Sequence, residues 1–506
     1  MTAADFSRAL TGEARRIQKI LDNLAIYSAL RTLCGLGVFD QLDNGPATVD
    51  DLADRVAVTM DAPNLSRDYL ERVLRVGWAH RWVRRAPDRL YHQDSVGQTL
   101  VTDVDDPAHT AVMCAMLRRR RVHDLGPSRR AFDRPDSAIA EPIHAIVRKL
   151  DVYEALHLLC ALRIPDRLDD GPASLDDLYA WCEGRRASEE PLPHLSRDDL
   201  ARLLRIGTSQ EWVARSPAGF FQQTRFGQLL TSGPESMRPA VMMYALPPWR
   251  LPLATLIDTV CRGEPVALAG ADTVIANAAH ARIVAAFNAS RSATMAATLA
   301  DAIETHLADN LSHVVTIGGG AILLAEILGR LPHVNGVLVD WRDFDGAASH
   351  LARIEDLVGR WAIAMGHDMD TGIPAAFRPL YLISGVINTL HLNDVHHLLC
   401  RVATAMDRSG PHSVLWLVQS VLPDAAEPHP AFAEDLLQMT RTRHGRQRTL
   451  QEHVALLRKA GLRVTGAIDT EDHMIIVASS ARTYPLTMAE WGALIARSAL
   501  PTPPPH

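Results

Sequence analysis

A short apolar run that ends in three glycines is the first stretch whose residue types could do chemistry. Residues 314–324 read VVTIGGGAILL, and a second apolar run at 337–339 ends on Asp340. A buried parallel strand is a short apolar run without alternation, and glycines where a strand meets a helix let backbone N–H groups approach a ligand. An acid about 20 residues further on suits the hydroxyls of a ribose. The pattern predicts a nucleotide-type binding turn, with an ordinary tight turn as the alternative.

Alternating apolar strands and helix patterns surround this turn and must position it. The pattern is helical from 247 to 310, and it includes an alanine-rich segment at 293–309. The remaining elements are strand patterns at 337–339, 380–387, 413–418 and 472–478, and a helix pattern at 450–460. Alternation of this kind predicts a mostly parallel sheet with helices on both faces.

An internal repeat occupies the first half of the chain. Residues 20–47 match residues 146–173 at a constant offset of 126. After an insertion of four residues in the second copy, LSRDYLERVLRVG at 65–77 matches LSRDDLARLLRIG at 195–207. A match of this length indicates a duplicated domain.

Each copy is predicted to form a winged helix. A helix leads through a Gly-Pro turn to a short second helix, and a third helix begins at an N-capping serine, Ser66 or Ser196. Two short strands follow, around Trp82 in the first copy and Trp212 in the second. Acidic and basic residues of the third helix nearly cancel in both copies, whereas a helix that reads DNA has a basic excess. The sequence therefore predicts no nucleic-acid partner.

Length and composition indicate a multidomain globular protein. The chain has 506 residues, 47% of them hydrophobic and 22% charged, which suggests roughly three domains. The net charge of −7 also argues against a nucleic-acid partner. The sequence shows no apolar run of about 18 residues and no signal peptide, so a cytoplasmic protein without a membrane partner is expected. The six cysteines are scattered without a C-x-x-C pair, which predicts neither disulfides nor a metal site.

The order of these motifs resembles the S-adenosylmethionine-dependent small-molecule O-methyltransferases of plant phenolic and bacterial polyketide pathways. The resemblance covers about residues 146–480, so the first repeat would be an extra copy of the family's N-terminal module. It implies an α/β class I methyltransferase (Rossmann-like) domain preceded by two tandem α-rich winged-helix modules. The expected domains are 1–125 and 140–245 for the two modules, 246–312 for a helical connector, 313–482 for the methyltransferase-like domain and 483–506 for a C-terminal tail.

The resemblance also implies a cofactor site for S-adenosylmethionine. The family's glycines correspond to Gly318, Gly319 and Gly320, its ribose-binding acid to Asp340, and its adenine-side pair to Asp368 and Met369. Two positions depart from the family. The acid before the glycines is Thr316 here, and the last glycine is Ile322. A branched side chain in place of a glycine predicts weak binding of the cofactor.

The family's catalytic positions are all amides in this chain. Its general-base histidine corresponds to Asn388, and the two glutamates that orient the base in plant members correspond to Gln419 and Gln447. A register slip of three residues would place His391 at the base position instead. A general base contributes on the order of 10² to 10⁴ in rate, and an amide cannot accept a proton near neutral pH.

Three functional readings remain open on these residues. The amides favour a small-molecule tailoring enzyme whose chemistry is cyclisation, rearrangement or elimination. The first alternative is an S-adenosylmethionine-dependent methyltransferase whose acceptor needs no base, such as an amine, a thiol or a stabilised carbanion. The second alternative is a catalytically silent binding or scaffold protein.

Assembly is the last expectation, and it rests on the repeat. Members of the resembled family pair through their N-terminal modules, so two copies in one chain could satisfy that interface internally. The first helices of the copies would then face one another through Leu24 with Leu150, Tyr27 with Tyr153 and Leu30 with Leu156. A monomer is expected, with copy one in the place of a partner's module. A homodimer is the alternative.

Overall fold

The structure is a computed structural model. It describes residues 3–101, 141–188, 195–233, 236–246, 255–265, 278–307, 310–318, 320–340, 360–365, 373–424, 427–470 and 473–481. Two compact units are present, and each is described by itself. The first comprises Met1–Ser290 and Ala425–Arg443, and the second comprises Arg291–Asp424 and His444–His506.

Copy one of the repeat is a set of helices followed by a hairpin. Its elements are α1 (Ala3–Gly35), α2 (Val38–Asp43), α3 (Val49–Thr59), α4 (Arg67–Ala79), β1 (Val83–Arg85), β2 (Tyr91–Gln93) and α5 (Ser95–Gln98). The predicted cap of the third helix is confirmed, because the Ser66 side chain accepts a hydrogen bond from the backbone N–H of Tyr69. Strands β1 and β2 pair antiparallel.

Copy two repeats this order of elements. It consists of α6 (Glu141–Ala161), α7 (Ile164–Asp169), α8 (Leu175–Ser188), α9 (Arg197–Ser209), β3 (Val213–Arg215), β4 (Phe221–Gln223) and α10 (Arg225–Gln228). The Ser196 side chain caps α9 by accepting from the N–H of Asp199, and β3 pairs antiparallel with β4. The two matched stretches of sequence therefore have matching elements.

The first helices of the two copies pack directly against each other. Helix α1 contacts α6, and the buried side chain of Asn23 donates a hydrogen bond of 2.9 Å to the carbonyl of Ile146. Of the six apolar residues expected at this contact, Leu24, Tyr27, Leu30, Tyr153 and Leu156 are buried, and Leu150 is half-buried. The hydroxyl of Tyr153 donates to the carbonyl of Val241. Helix α1 therefore packs on α6 with a buried hydrogen bond between them, and the residue-by-residue pairing stays a prediction.

Four further helices belong wholly or partly to the first unit. They are α11 (Arg238–Ala245), α12 (Leu256–Arg262), α13 (Ala278–Leu307), which continues into the second unit, and α16 (Pro430–Arg441). Helices α12 and α16 pack on α1 and α4 of copy one, whereas α11 packs on α6 of copy two. The alanine-rich segment predicted at 293–309 is therefore the second half of one long helix.

The second unit is built on a seven-stranded sheet. Its strands are β5 (His313–Ile317), β6 (Asn335–Asp340), β7 (Trp361–Met365), β8 (Pro379–Ser384), β9 (Val414–Gln419), β10 (Leu462–Asp469) and β11 (Met474–Ser480). The order across the sheet is β10, β11, β9, β8, β5, β6, β7. Neighbours from β9 to β7 pair parallel, while β11 pairs antiparallel with both β9 and β10. The expected Rossmann-like methyltransferase sheet is confirmed.

Alternate residues of the central strands face two separate cores. Helix α14 (Ala321–Arg330) packs with the end of α13 on the face that includes Val314 and Trp416. Helices α15 (Leu392–Ser409) and α17 (Leu450–Lys459) cover the opposite face, which includes Val315 and Leu417. Burial of both faces explains why the strands are continuous apolar runs.

The strand predicted at 380–387 is shorter than expected. Strand β8 ends at Ser384 because Gly385 has a φ of +69°, a conformation that glycine adopts without the steric penalty of a Cβ. A 3₁₀ turn over Val386–Asn388 follows. Asn388 therefore lies on a turn at the carboxyl end of the sheet, whereas the predicted strand would have placed it directly after the last strand residue.

Some of the predictions concern residues other than the described residues. Gly319, Asp368, Met369, Cys114 and the tail 483–506 lie outside them. The other five cysteines have free thiols. Among the residues that are described, no helix is long and apolar enough to cross a membrane.

Candidate active site

The glycine turn links β5 to α14 at the carboxyl edge of the sheet. Gly318 has a φ of +64°, and its N–H donates 2.9 Å to the carbonyl of Val339 on β6. Gly320 has a φ of +80°, and a Cβ added there would meet no atom within 4 Å. Two glycines with positive φ and open space beside the backbone are the conditions under which a ligand can approach the start of a helix closely.

Two residues that depart from the resembled family flank this turn. Thr316 is buried in β5, and its hydroxyl has no hydrogen-bond partner in the described structure. Ile322 is half-buried in the first turn of α14. Asp340 is the last residue of β6, next to the turn in the sheet, and its side chain is outside the described structure. A buried orphan hydroxyl at this place would find a partner in a bound polar group.

Three amide side chains meet at the carboxyl ends of β8 and β9. The Nδ2 group of Asn388 donates to Oε1 of Gln419 at 2.6 Å and to Oε1 of Gln447 at 2.5 Å. All three side chains are buried, with 3%, 1% and 3% of their surface exposed for Asn388, Gln419 and Gln447. The three residues that the sequence placed at catalytic positions therefore form one cluster, which we call the amide cluster.

The loop that carries Gln447 holds the turn that carries Asn388. Arg446 donates its backbone N–H to the carbonyl of Asn388 at 2.9 Å, and the guanidinium of Arg448 donates to the carbonyl of Ile387 at 3.1 Å. Leu422 donates its N–H to the carbonyl of Arg448, so the segment after β9 is tied to the same loop. These hydrogen bonds, all accepted by backbone carbonyls, fix the relative positions of the three amides, as a site on rigid supports requires.

His391 is exposed and does not belong to the buried amide cluster. It caps α15 by accepting a hydrogen bond from the N–H of Asn393, and its ring meets that of His444 edge-on at 4.7 Å. The register slip would require His391 in the buried position that Asn388 takes. The assignment of Asn388 rather than His391 to the catalytic position stays a prediction.

Two buried residues near the amide cluster were missed by the sequence analysis. Arg448 is 4% exposed and supports the turn of Asn388, as described above. His453 on α17 is fully buried, and neither ring nitrogen has a hydrogen-bond partner in the described structure. Burial, together with the nearby charge of Arg448, lowers the pKa of His453 to about 3. A sequence signal existed only for Arg448, which directly follows Gln447.

Metal ligation has no visible basis in this region. Among the described residues, no three or more side chains of His, Cys, Asp or Glu are grouped so that they could hold a metal ion. The chemistry available to the described part of the site is hydrogen bonding by amides, one orphan hydroxyl and the backbone of the glycine turn.

Two family models match parts of the chain. Residues 18–103 match the O-methyltransferase dimerisation domain, and residues 263–463 match the O-methyltransferase domain. The first match falls on copy one, which the sequence analysis had treated as the extra module.

Relatives of known activity are methyltransferases. The chain is 26% identical to 8-amino-8-demethylriboflavin N,N-dimethyltransferase of Streptomyces davaonensis over 343 residues, which are 66% of this chain and 93% of the relative. It is also 26% identical to O-methyltransferase SfmM3 of Streptomyces lavendulae over 322 residues, 62% of this chain and 91% of the relative.

Solved structures share the fold. The calicheamicin-biosynthesis methyltransferase CalO1, in its form with bound SAH (S-adenosylhomocysteine), has a TM-score of 0.55 and 23% identity, covering 69% of this chain and 99% of that one. The two family models lie in the family's order and together span more than half of the chain. The chain belongs to the O-methyltransferase family.

Proposed function

We propose that this chain transfers a methyl group from S-adenosylmethionine to a small natural-product acceptor that needs no general base. The observation that carries the proposal is the buried contact of Asn388 with Gln419 and Gln447, in which amides stand at the family's catalytic positions. Amides orient and stabilise polar groups, but they take up no proton near neutral pH.

The glycine turn fits the cofactor. Gly318 and Gly320 would present their backbone to its amino-acid portion, and the orphan hydroxyl of Thr316 offers a further hydrogen bond. Asp340 stands at the tip of β6, where a ribose would lie in this fold. Bound there, S-adenosylmethionine would supply an electrophilic methyl group, whose bond to sulfur breaks as the bond to the acceptor forms.

The acceptor must therefore be nucleophilic when it arrives. A phenol or alcohol must lose a proton as it is methylated, and the amide cluster has no group to receive it. A neutral amine attacks through its lone pair and releases a proton to solvent afterwards. A thiolate or a stabilised carbanion meets the same condition, so the acceptors named from the sequence remain the candidates.

The relatives bear on the choice among reactions. Both curated relatives are named as methyltransferases, and one of the names specifies transfer to an amino group. This supports methyl transfer over the cyclisation, rearrangement or elimination that the sequence analysis preferred. It also supports an enzyme over a silent scaffold.

Cofactor affinity is the weak point of this site. Ile322 stands in the first turn of α14, where the family has a glycine. An added branched side chain at a close contact costs about 1–3 kcal/mol, which corresponds to roughly a ten- to hundredfold loss of affinity. We infer that S-adenosylmethionine binds more weakly here than a glycine at this position would allow.

For assembly, we infer that the contact of α1 with α6 replaces a contact between subunits. The buried bond from Asn23 to Ile146 supports this, because it joins the first helices of the two copies within one chain. Tethering gives the second copy a high effective concentration that a separate partner would have to exceed. A homodimer is the competing assembly, and the name of the domain matched by copy one favours it.

Native mass spectrometry of freshly purified chain, followed by calorimetry with SAH, tests the proposal. We expect a bound mass of S-adenosylmethionine or SAH, and we expect Gly320→Val to abolish it because a side chain would fill the open space beside that residue. Gly410→Val is the matched control, since Gly410 follows the last residue of α15 and also combines a positive φ, of +88°, with free space around it. A chain that binds neither molecule at millimolar concentration would refute the proposed cofactor.

A further inference from the structure

Two atoms of the amide cluster have no partner. Oδ1 of Asn388 and Nε2 of Gln419 are buried, and neither makes a hydrogen bond in the described structure. The first can only accept a hydrogen bond and the second can only donate one. Buried polar groups are rarely left unsatisfied, so an unpartnered pair at a catalytic position points to a ligand.

The two atoms are close enough for one small molecule to reach both. Nδ2 of Asn388 and Oε1 of Gln419 are 2.6 Å apart, and each belongs to the same amide group as one of the free atoms. Within an amide the oxygen and nitrogen are a little over 2 Å apart, so the free atoms are separated by at most about 7 Å. A donor and an acceptor on one ring system span such a distance.

We propose that these two atoms recognise an acceptor molecule that carries an N–H group and, close to it, a carbonyl oxygen or ring nitrogen. The N–H would donate to Oδ1 of Asn388, and the carbonyl or ring nitrogen would accept from Nε2 of Gln419. The proposal rests on the methyl transfer proposed above, and it narrows the acceptors to amines with a neighbouring hydrogen-bond acceptor.

The charge that develops during methylation favours nitrogen over oxygen at this place. A nitrogen becomes positive as its bond to carbon forms, so its N–H donates more strongly to the oxygen of Asn388 in the transition state than before it. A hydroxyl reacts best as an oxyanion, and an oxyanion beside an amide oxygen is repelled. The same atom therefore assists an amine and opposes a phenol.

The step balances without a side-chain base. The nitrogen lone pair forms the new bond to the methyl carbon as the carbon–sulfur bond breaks, and SAH is the second product. The methylated nitrogen carries a positive charge until it releases a proton to solvent. Asn388 and Gln419 only hold and orient the acceptor throughout.

Binding of three probes to the full chain tests the inference. They are 3-aminoacetophenone, with an amine and a carbonyl, 3-methylaniline, with the amine alone, and 3-hydroxyacetophenone, with a hydroxyl and a carbonyl. Dissociation constants would be measured by calorimetry or ligand-observed NMR in the presence and absence of SAH. One added hydrogen bond predicts that 3-aminoacetophenone binds about five- to tenfold more tightly than 3-methylaniline.

Gln419→Glu separates the donor from the acceptor of this residue. A carboxylate oxygen can still accept from Asn388, but the free donor is lost, so the preference for 3-aminoacetophenone over 3-methylaniline should disappear. Gln419→Met removes both polar atoms at similar volume and should give the same loss. Gln451→Glu, at an exposed position of α17, adds the same charge and should leave the preference intact.

The outcomes distinguish the inference from the proposed function. An unchanged preference in both Gln419 variants, or no binding of 3-aminoacetophenone at millimolar concentration, would overturn the inference. If the preference follows Gln419 but labelled S-adenosylmethionine gives no N-methylated probe, the inference stands and the proposed methyl transfer fails. If the probe is methylated equally by wild type and Gln419→Glu at equal affinity, the function stands and the recognition by Gln419 is wrong.

Discussion

Arg72 of copy one and Asp435 of α16 form a buried ion pair. The guanidinium donates to both carboxylate oxygens, at 2.9 and 2.8 Å, and to the backbone carbonyl of Asp435 at 2.7 Å. Their side chains are 4% and 5% exposed. The residue at the equivalent position of copy two, Arg202, has a side chain that is 70% exposed and pairs with Asp199 on its own helix. The two modules therefore differ in what they contact, although their sequences correspond at this position.

The first prediction concerns this difference. Arg72→Met should destabilise the first unit by about 3–5 kcal/mol, because it removes the buried cation that donates three hydrogen bonds to Asp435. Arg202→Met should change stability by less than about 1 kcal/mol, because an exposed pair contributes little. Thermal and urea unfolding of both variants measures the effect. Equal effects at the two positions would contradict the assignment of Arg72 to a buried contact.

A double variant isolates the pair itself. Arg72→Met combined with Asp435→Leu removes both charges and should recover much of the stability lost in the single variant. If the double variant is no more stable than Arg72→Met alone, the loss comes from the packing of the arginine side chain and not from the lost charge pairing with Asp435.

The second prediction concerns acid stability and His453. Its pKa is lowered to about 3 in the folded chain by burial, against an ordinary value of 6.5. Below pH 6.5 the unfolded chain takes up a proton that the folded chain does not, so stability is full above that pH and falls as the pH drops towards 3. Because of this residue, the free energy of unfolding should be about 2 kcal/mol lower at pH 5 than at pH 7. Urea unfolding between pH 7 and pH 5 measures it.

His453→Phe is the variant for this test. It should flatten the pH dependence relative to wild type, because the ring that must stay neutral is gone. His397→Phe, at an exposed position of α15, is the control and should keep the wild-type slope. Burial also lowers the pKa of His80 to about 4, so His80 adds to the pH dependence of stability. This addition is the same in every variant and cancels when each variant is compared with wild type. Parallel curves for His453→Phe and wild type would show that His453 is not held neutral.

The third prediction concerns the cofactor. Ile322→Gly should tighten the binding of SAH by roughly ten- to a hundredfold, because it restores the bare backbone expected at that place. Ile322→Val removes only one methylene and should have a small effect. Calorimetric titration of the two variants and wild type gives the affinities. If the wild type binds SAH with a low-micromolar dissociation constant and Ile322→Gly binds it equally tightly, Ile322 does not obstruct the cofactor.

The fourth prediction concerns assembly. Light scattering should give a mass near 55.5 kDa, that of one chain, if the contact of α1 with α6 replaces a contact between subunits. Asn23→Leu removes the hydrogen bond from α1 to the carbonyl of Ile146 and should lower stability by about 0.5–1.5 kcal/mol without changing the mass. A mass of twice the chain would favour the homodimer, with the second copy added to an interface that is still used between subunits.

Much of the fold was predictable because it depends on periodicity. The apolar runs at 337–339 and 413–418 became β6 and β9, since a strand buried on both faces leaves a continuous signal. The end of β8 was misplaced by three residues, because the apolar pattern continues through Val386 and Ile387 while the backbone turns at Gly385. A hydrophobic pattern does not record the φ angle of a glycine.

The candidate site was predictable only through alignment. Asn388, Gln419 and Gln447 are far apart in sequence and carry no spacing signal of their own, so their contact followed from matching them to the family. His453 was not predictable, because a histidine on the apolar face of α17 has the same pattern as any core residue there. The pair of Arg72 and Asp435 was also missed, since 363 residues separate its members.

One consequence of the packing of α1 on α6 concerns how this chain can change over time. In a symmetric pair of identical subunits, any substitution at the shared surface appears on both sides at once. Here the two sides are encoded separately, so each can be altered while the other is preserved. Asn23 of α1 is buried, whereas its counterpart in α6, Lys149, is exposed, so the two first helices already differ at matched positions.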